Sequence, residues 1–224
     1  MWGTYMSKGL FITLEGPDGA GKTTQMDNLA AYLGRRGLAV ERTREPGGTR
    51  LAEAIRRLLL EPDYGPVDPR AEILLYAAAR AQHVAERIRP ALAAGKIVLC
   101  DRFADSTLAY QGYGRRLGAD LVEQINNLAT ADLKPDLTLL LDVPVEIGLG
   151  RRPGGADRME QENLEFHRRV RQGYLDLARR EPGRVRLIDG TRSPEVVWTE
   201  IKGILDTLLA PAGMPDSRPP SRKT

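Results

Sequence analysis

The chain is poor in several things, and each shortage narrows the reading. It has one cysteine, Cys100, in 224 residues. No internal disulfide can form, which fits a reducing compartment, and Cys100 itself reads as a small buried apolar residue. The two histidines, His83 and His167, do not form a pair by spacing, so no Cys/His cluster suggests zinc. No apolar run approaches the roughly 20 residues that cross a bilayer. The opening MWGTYMSKG is too short and too polar for a secretory signal. No membrane partner is expected, and a cytoplasmic location follows. Charge imbalance is also small. The net charge is +3, and residues 211–224 supply +2 of it, with Arg218, Arg222 and Lys223 against Asp216. The nearly neutral remainder excludes a broad nucleic-acid surface. There is no internal repeat, and no Asn-Lys-x-Asp motif of the kind that reads guanine in GTP-dependent switches.

What is present alternates. Apolar, β-branched stretches at 10–14, 39–43, 96–101, 136–143 and 184–189 read as strands. Between and after them, residues 23–36, 49–60, 70–94, 119–129, 160–180 and 194–209 carry apolar residues at helical spacing. Continuously apolar central strands between helices imply a parallel sheet covered on both faces, an α/β fold in one domain. The domain is read as residues 9–210. Residues 1–8 read as an extension, and 211–224, rich in Pro, Gly and Ser, as a disordered tail.

The first strand runs into GPDGAGKT, Gly16 to Thr23, which satisfies G-x-x-x-x-G-K-[ST] between a strand and a helix. Such a loop curls so that backbone N–H groups point inward, and the following helix N-terminus adds partial positive charge. Gly16, Pro17, Asp18, Gly19, Ala20, Gly21, Lys22, Thr23 and Thr24 are therefore expected to hold a nucleoside triphosphate as its Mg²⁺ salt. Lys22 would reach the β- and γ-phosphates, and the Thr23 hydroxyl would ligate the metal. Asp18 is out of place beside a phosphate cradle unless a substrate hydroxyl or an arginine meets it.

TREPGGT follows the second strand and DRFADSTLAYQGYGRR the third, both at the strand ends where open α/β sheets bind ligands. Asp101 is placed to reach Mg²⁺ through water, and Arg102 to grip a phosphate with its planar fork. Tyr76 and Arg80 lie four apart on one helix face, so a ring and a guanidinium could stack on a base and bond its edge; core packing with a solvated arginine is the plainer alternative. GLGRRPGGADRMEQEN, residues 148–163, combines glycine hinges with Arg151, Arg152 and Arg158, as a mobile lid would.

Together, EGPDGAGKTT, TREPGGT, LLYAAARAQH, DRFADSTLAYQGYGR and DRMEQENLEFHRRVRQGY resemble bacterial thymidylate kinases over nearly the whole chain. The resemblance implies a P-loop three-layer α/β/α sandwich with a five-stranded parallel sheet and a mobile lid. It implies transfer of the γ-phosphoryl of ATP to dTMP, and a homodimer. By similarity, Tyr76 stacks on thymine, Arg80 donates to a thymine carbonyl, and Thr107 and Gln111 read other base edges. Arg102 grips the dTMP phosphate, with Arg44 and Arg56 as helpers. Tyr110 packs on the sugar and disfavours a 2′-hydroxyl, and Asp18 sits near the 3′-hydroxyl. Where some relatives carry an assisting arginine after the loop lysine, this chain has Thr23, so the lid is expected to supply it, with Arg152 favoured. The rival readings are a kinase for dUMP, dCMP or a deoxynucleoside, and a non-catalytic nucleotide-binding regulator.

Overall fold

The chain is described from a computed structural model over residues 9–151 and 157–210. The expected extension 1–8, the tail 211–224 and Arg152 lie outside the described residues. Five strands are β1 (Leu10–Glu15), β2 (Val40–Arg44), β3 (Ile97–Asp101), β4 (Leu137–Asp142) and β5 (Val185–Asp189). The α-helices are α1 (Lys22–Arg35), α2 (Arg50–Leu60), α3 (Pro69–His83), α4 (Arg89–Ala93), α5 (Ala104–Thr107), α6 (Ala119–Thr130), α7 (Val145–Gly150), α8 (Leu164–Arg180) and α9 (Pro194–Leu208). All strand pairings are parallel, in the order β2-β3-β1-β4-β5.

Strand alternation divides the core in two. Ile12 and Leu14 of β1 and Leu139 and Leu141 of β4 pack with Met26, Leu29 and Leu33 of α1 and with Val197, Ile201 and Leu205 of α9. On the other face, Phe11, Val98 and Cys100 meet Val84, Ile88 and Phe103, while Leu140 and Val185 meet Phe166, Val170 and Tyr174 of α8. Burial on both faces is why β3 and β4 are apolar almost throughout. The polar exceptions pair with each other: Thr13 and Thr138 face across β1 and β4, their hydroxyls 2.8 Å apart.

Helix starts follow side-chain caps. Thr49 accepts from Ala52 N, Asp68 from Arg70 N, Asn163 from Phe166 N and Ser193 from Val196 N. Asn163 accounts for one departure from expectation. The helix read over 160–180 begins at Leu164, and before it Asp157 Oδ1 accepts from Met159 N and Glu160 N at 2.9 and 3.0 Å, closing a turn. The helix read over 70–94 is continuous but passes through a π-helical stretch, Val84–Ile88, between α3 and α4. Pro90 lacks an N–H and crowds the carbonyl four residues back, and a wider turn relieves both. Residues 104–114 carry no clear helical signal in the sequence. They form α5 and a π-helical continuation, Leu108–Gly114.

Candidate active site

The glycine-rich loop leaves β1 at the carboxyl edge of the sheet, and its shape needs glycine. Gly16 has φ +136°, and a Cβ there would lie 2.2 Å from Leu141 O. Gly19 has φ +74°, and a Cβ there would lie 2.1 Å from Gly148 O of α7. The loop thus rests on the ends of β4 and α7. It delivers the chain into α1 through Gly21, which has no side-chain cap, so the first-turn N–H groups remain available to an anion. Lys22 Nζ donates to Gly16 O and Pro17 O at 3.0 and 2.9 Å. Burial, and then the charge of Arg102, lowers its pKa to about 8. A cleft of about 620 Å³ opens here, lined by Asp18 to Gln25, Arg151, Gly190, Arg192, Pro194 and Val197 among others. Thr23 and Thr24 lie in that lining.

Beside it lies a second cavity of about 200 Å³. Of the residues predicted for an acceptor site, Asp18, Arg44, Arg56, Tyr76, Arg102, Tyr110 and Gln111 line it. Tyr76 is half-buried, and burial pushes its hydroxyl well up, so the ring is neutral. Arg56 donates to Pro46 O at 3.0 Å. Burial and the neighbouring Arg44 both work against its charge. Two neighbouring guanidinium groups, with Arg56 held against such costs, mark a place for an anion. The cleft and the cavity share Asp18, Asp101, Arg102 and Glu160 in their linings, so these four stand between them.

Arg102 is the centre of that wall. Its backbone sits at φ +66°, unusual for a residue with a Cβ. Its Nη2 pairs with Asp18 Oδ1, and Nη1 donates to Gly16 O, Ser106 Oγ and Tyr174 Oη at 3.0, 3.2 and 3.1 Å. Its guanidinium lies 5.2 Å from the Tyr110 ring centroid, and Tyr110 Oη donates to Asp18 Oδ2 at 2.9 Å. Under Arg102 lies Glu15, fully buried. It accepts from Phe103 N, Ser106 Oγ and Tyr174 Oη at 2.7, 2.5 and 3.2 Å. Burial, and then Asp105, raises Glu15 to about 7.

Among the described residues, Asp101 Oδ1 is buried with no hydrogen-bond partner. An orphaned carboxylate oxygen fits an outer-sphere magnesium partner, since Mg²⁺ keeps several waters. Among the described residues no group of three or more His, Cys, Asp or Glu could hold a metal by itself. A phosphate-borne magnesium ion needs only one or two protein ligands, and Thr23 with Asp101 suits that need.

The structure does not bring Arg80 and Thr107 to the cavity surface. Arg80 is 2% exposed. It donates to Glu45 Oε2, Asn126 Oδ1, Thr107 Oγ1 and Phe103 O at 2.7, 2.8, 2.8 and 3.2 Å. Both residues lie behind the wall, and Glu45 carries their hold forward to the cavity lining. The lid arginines also separate. Arg151 lines the loop cleft and donates to Gly190 O at 2.8 Å. Arg158 lines neither space. Its Nε donates to Leu59 O at 2.8 Å, and Nη2 lies 2.7 Å from Glu72 Oε2. Gly148 and Gly150, read as hinges, lie within α7.

Sequence reasoning missed Gly190, Arg192 and Pro194 of the loop cleft. They follow β5 at the same sheet edge, so the rule applied to β2 and β3 would have found them. It also missed Glu45, Ser106, Asp157, Met159 and Glu160 of the cavity. Glu45 and Ser106 lie within motifs already singled out. Asp157 and Glu160 lie in the segment read as a lid.

Residues 14–201 match the family described as Thymidylate kinase. The chain is 59% identical over 199 residues to a thymidylate kinase of Syntrophotalea carbinolica, covering 85% of this chain and 92% of the relative. It is 52% identical over 205 residues to one of Nostoc sp., covering 90% and 97%. A crystal structure of thymidylate kinase from Ehrlichia chaffeensis superposes with a TM-score of 0.71 at 38% identity, covering 88% of this chain and 99% of that one.

Proposed function

The chain belongs to the thymidylate kinase family and phosphorylates dTMP to dTDP with ATP as donor, and from that premise we propose how its residues divide the reaction. ATP occupies the loop cleft and dTMP the smaller cavity. The observation that supports this division is the shared wall of Asp18, Asp101, Arg102 and Glu160, across which the phosphoryl group passes. The dTMP phosphate is itself the nucleophile, so catalysis is alignment plus positive charge. Negative charge spreads over the oxygens of a loose transition state. Lys22 leaves the loop carbonyls for the β- and γ-phosphates. Arg102 keeps Nη1 on Ser106 and Tyr174 and turns Nη2 from Asp18 to the dTMP phosphate, with Arg44 and Arg56 beside it. Asp18, so released, takes the sugar 3′-hydroxyl, and Tyr110 closes the space a 2′-hydroxyl would need. Tyr76 stacks on thymine and Gln111 meets its edge, with Arg80 and Thr107 bracing the wall from behind. Thr23 and Asp101 would hold a magnesium ion brought with ATP, which would supply positive charge to the triphosphate.

Arg152 supplies the remaining charge, following in sequence on Arg151 of the loop cleft. Arg152→Ala is expected to lower kcat by about 10³-fold with little change in the KM for dTMP; an unchanged kcat removes it from the mechanism. For the acceptor site, Arg102→Ala is expected to raise the KM for dTMP by about 100-fold, as loss of a charge-assisted contact to a phosphate should, while ATP still binds. Calorimetry with each nucleotide alone checks this, and normal dTMP affinity in the variant refutes the assignment. The proposed homodimer forms through α2, α3 and α6, whose outer faces carry exposed leucines. The enzyme works in the cytoplasm, beside its ATP. Among the described residues no helix is long and apolar enough to cross a membrane.

A further inference from the structure

Gln111 is 1% exposed, yet it lines the acceptor cavity. Its side chain has two faces of opposite character, a carbonyl that only accepts and an NH₂ that only donates. Which face meets the cavity decides which base edge fits. The neighbour settles it. Glu72 of α3 is fully buried, and its Oε1 accepts from Gln111 Nε2 at 2.8 Å. Arg115 donates to the same carboxylate through Nε and Nη2 at 3.1 and 3.0 Å, and Arg158 Nη2 lies 2.7 Å from Oε2. Burial alone would push Glu72 up, but the bonds from Arg115 and Gln111, with the Arg158 guanidinium close by, outweigh it and hold the carboxyl below its usual range. An ionised carboxylate only accepts, so the Gln111 NH₂ must face Glu72. With the NH₂ turned to Glu72, the carbonyl oxygen is the acceptor this side chain has left to offer a base.

We propose that Glu72 is a specificity-positioning residue: it locks the Gln111 amide so that the cavity offers an acceptor, and so selects a base with an N–H between two carbonyls over one with a bare ring nitrogen. The inference rests on the placement of Gln111 at the base edge proposed above. Thymine and uracil donate from N3. Cytosine presents a lone pair there, which a carbonyl oxygen repels. A buried site built for one hydrogen bond rejects a base that cannot make it far more strongly than a hydrophobic pocket rejects a changed shape. Arg158 also ties this choice to the segment that brings Asp157 and Glu160 to the cavity.

The test compares Glu72→Gln with Gln111→Ala, measuring kcat/KM for dTMP and dCMP. A glutamine at 72 both donates and accepts, so the Gln111 amide is freed to turn. The ratio of dTMP to dCMP is expected to fall by about 100-fold in Glu72→Gln, towards that of Gln111→Ala, with the KM for ATP unchanged. If Gln111→Ala loses the preference and Glu72→Gln keeps it, the role given to Glu72 is overturned and Gln111 still reads the base. If Gln111→Ala keeps the preference, the placement of Gln111 fails, and this inference with it. A merely structural role for Glu72 would lower both rates together. Should Glu72→Gln not fold, the parent enzyme decides by NMR. The Gln111 side-chain amide protons, identified by their loss in Gln111→Ala, are expected to be protected from exchange with or without dTMP. Protection that appears only with dTMP means the amide points into the cavity, and overturns the proposal.

Discussion

Glu15 is one residue before the phosphate loop, and no pattern in the sequence marks it as different from the apolar run it ends. Its importance comes from burial. It sits under Arg102 through Ser106 and Tyr174, partners 91 and 159 positions away. Asp101 and Arg102 were legible because they follow a strand at the binding edge; their support was not, because it is assembled from distant segments. A test follows from protonation. Burial and Asp105 raise Glu15 from 4.5 to about 7, so between those values the folded chain holds a proton that the unfolded chain has lost. The stability this contributes is full below about 4.5 and is lost as pH rises through about 7, a change on the order of 3 kcal/mol. Glu15→Gln has no such proton to lose. Its unfolding free energy, minus that of the parent, is expected to rise between about pH 5 and pH 8 in denaturant titrations. A difference that stays flat means that Glu15 titrates alike in both states.

At the level of elements, α7 is the part of the site that sequence hid best. Val145–Gly150 has two glycines in six residues, a poor helix by propensity, and its glycines read more naturally as hinges. The structure gives Gly148 another purpose. A Cβ there would lie 2.4 Å from Asp18 O, just as one on Gly19 would meet Gly148 O. Helix and phosphate loop therefore touch backbone to backbone, and the contact needs both glycines. The helical stretch 104–114 escaped for a similar reason. Gly112 and Gly114 weaken its local signal, while packing against α8 decides the matter, with Phe166 within 2.9 Å of where a Gly114 Cβ would stand. Long amphipathic helices such as α1 and α9 were plain, because their burial repeats with the helical period. The two α7 glycines now separate packing from hinge motion. Gly148→Ala pushes on the loop at the residue that pairs with Arg102, and a displacement near 1 Å at a reacting centre costs about 100-fold in turnover. Among the described residues a Cβ at Gly150 meets nothing within 4 Å, so Gly150→Ala is expected to keep its activity within about twofold. Steady-state kinetics on both variants checks this. Equal losses would return both glycines to a hinge role.

For the molecule as a whole, sequence gave the parallel sheet and its two covered faces but not the order β2-β3-β1-β4-β5. That order depends on pairings between distant strands, which local patterning does not encode. Nor could sequence separate a helix face turned to the core from one left exposed, and here the exposures decide. Leu51 and Leu58 of α2 are 52% and 41% exposed, Leu74 of α3 is 59%, and Leu121 and Leu128 of α6 are 44% and 85%. A spacing of seven puts Leu51 with Leu58, and Leu121 with Leu128, on single stripes. Since α3 packs against both α2 and α6, the three helices form one continuous layer, with large apolar side chains on its outer surface. Covering a leucine contributes about 1.5–3 kcal/mol, so burying several against a second copy offsets the entropy of association. The loop cleft is lined from outside these three helices, so a second copy on their outer faces leaves it uncovered. Light scattering is expected to give twice 24.7 kDa for the parent chain. Leu128→Glu, which sets a charge on the most exposed of these leucines, is expected to shift it to a single chain at micromolar concentration while each chain keeps its fold by circular dichroism. A parent chain that runs at 24.7 kDa would overturn the homodimer, and a Leu128→Glu variant that stays paired would move the contact away from α6.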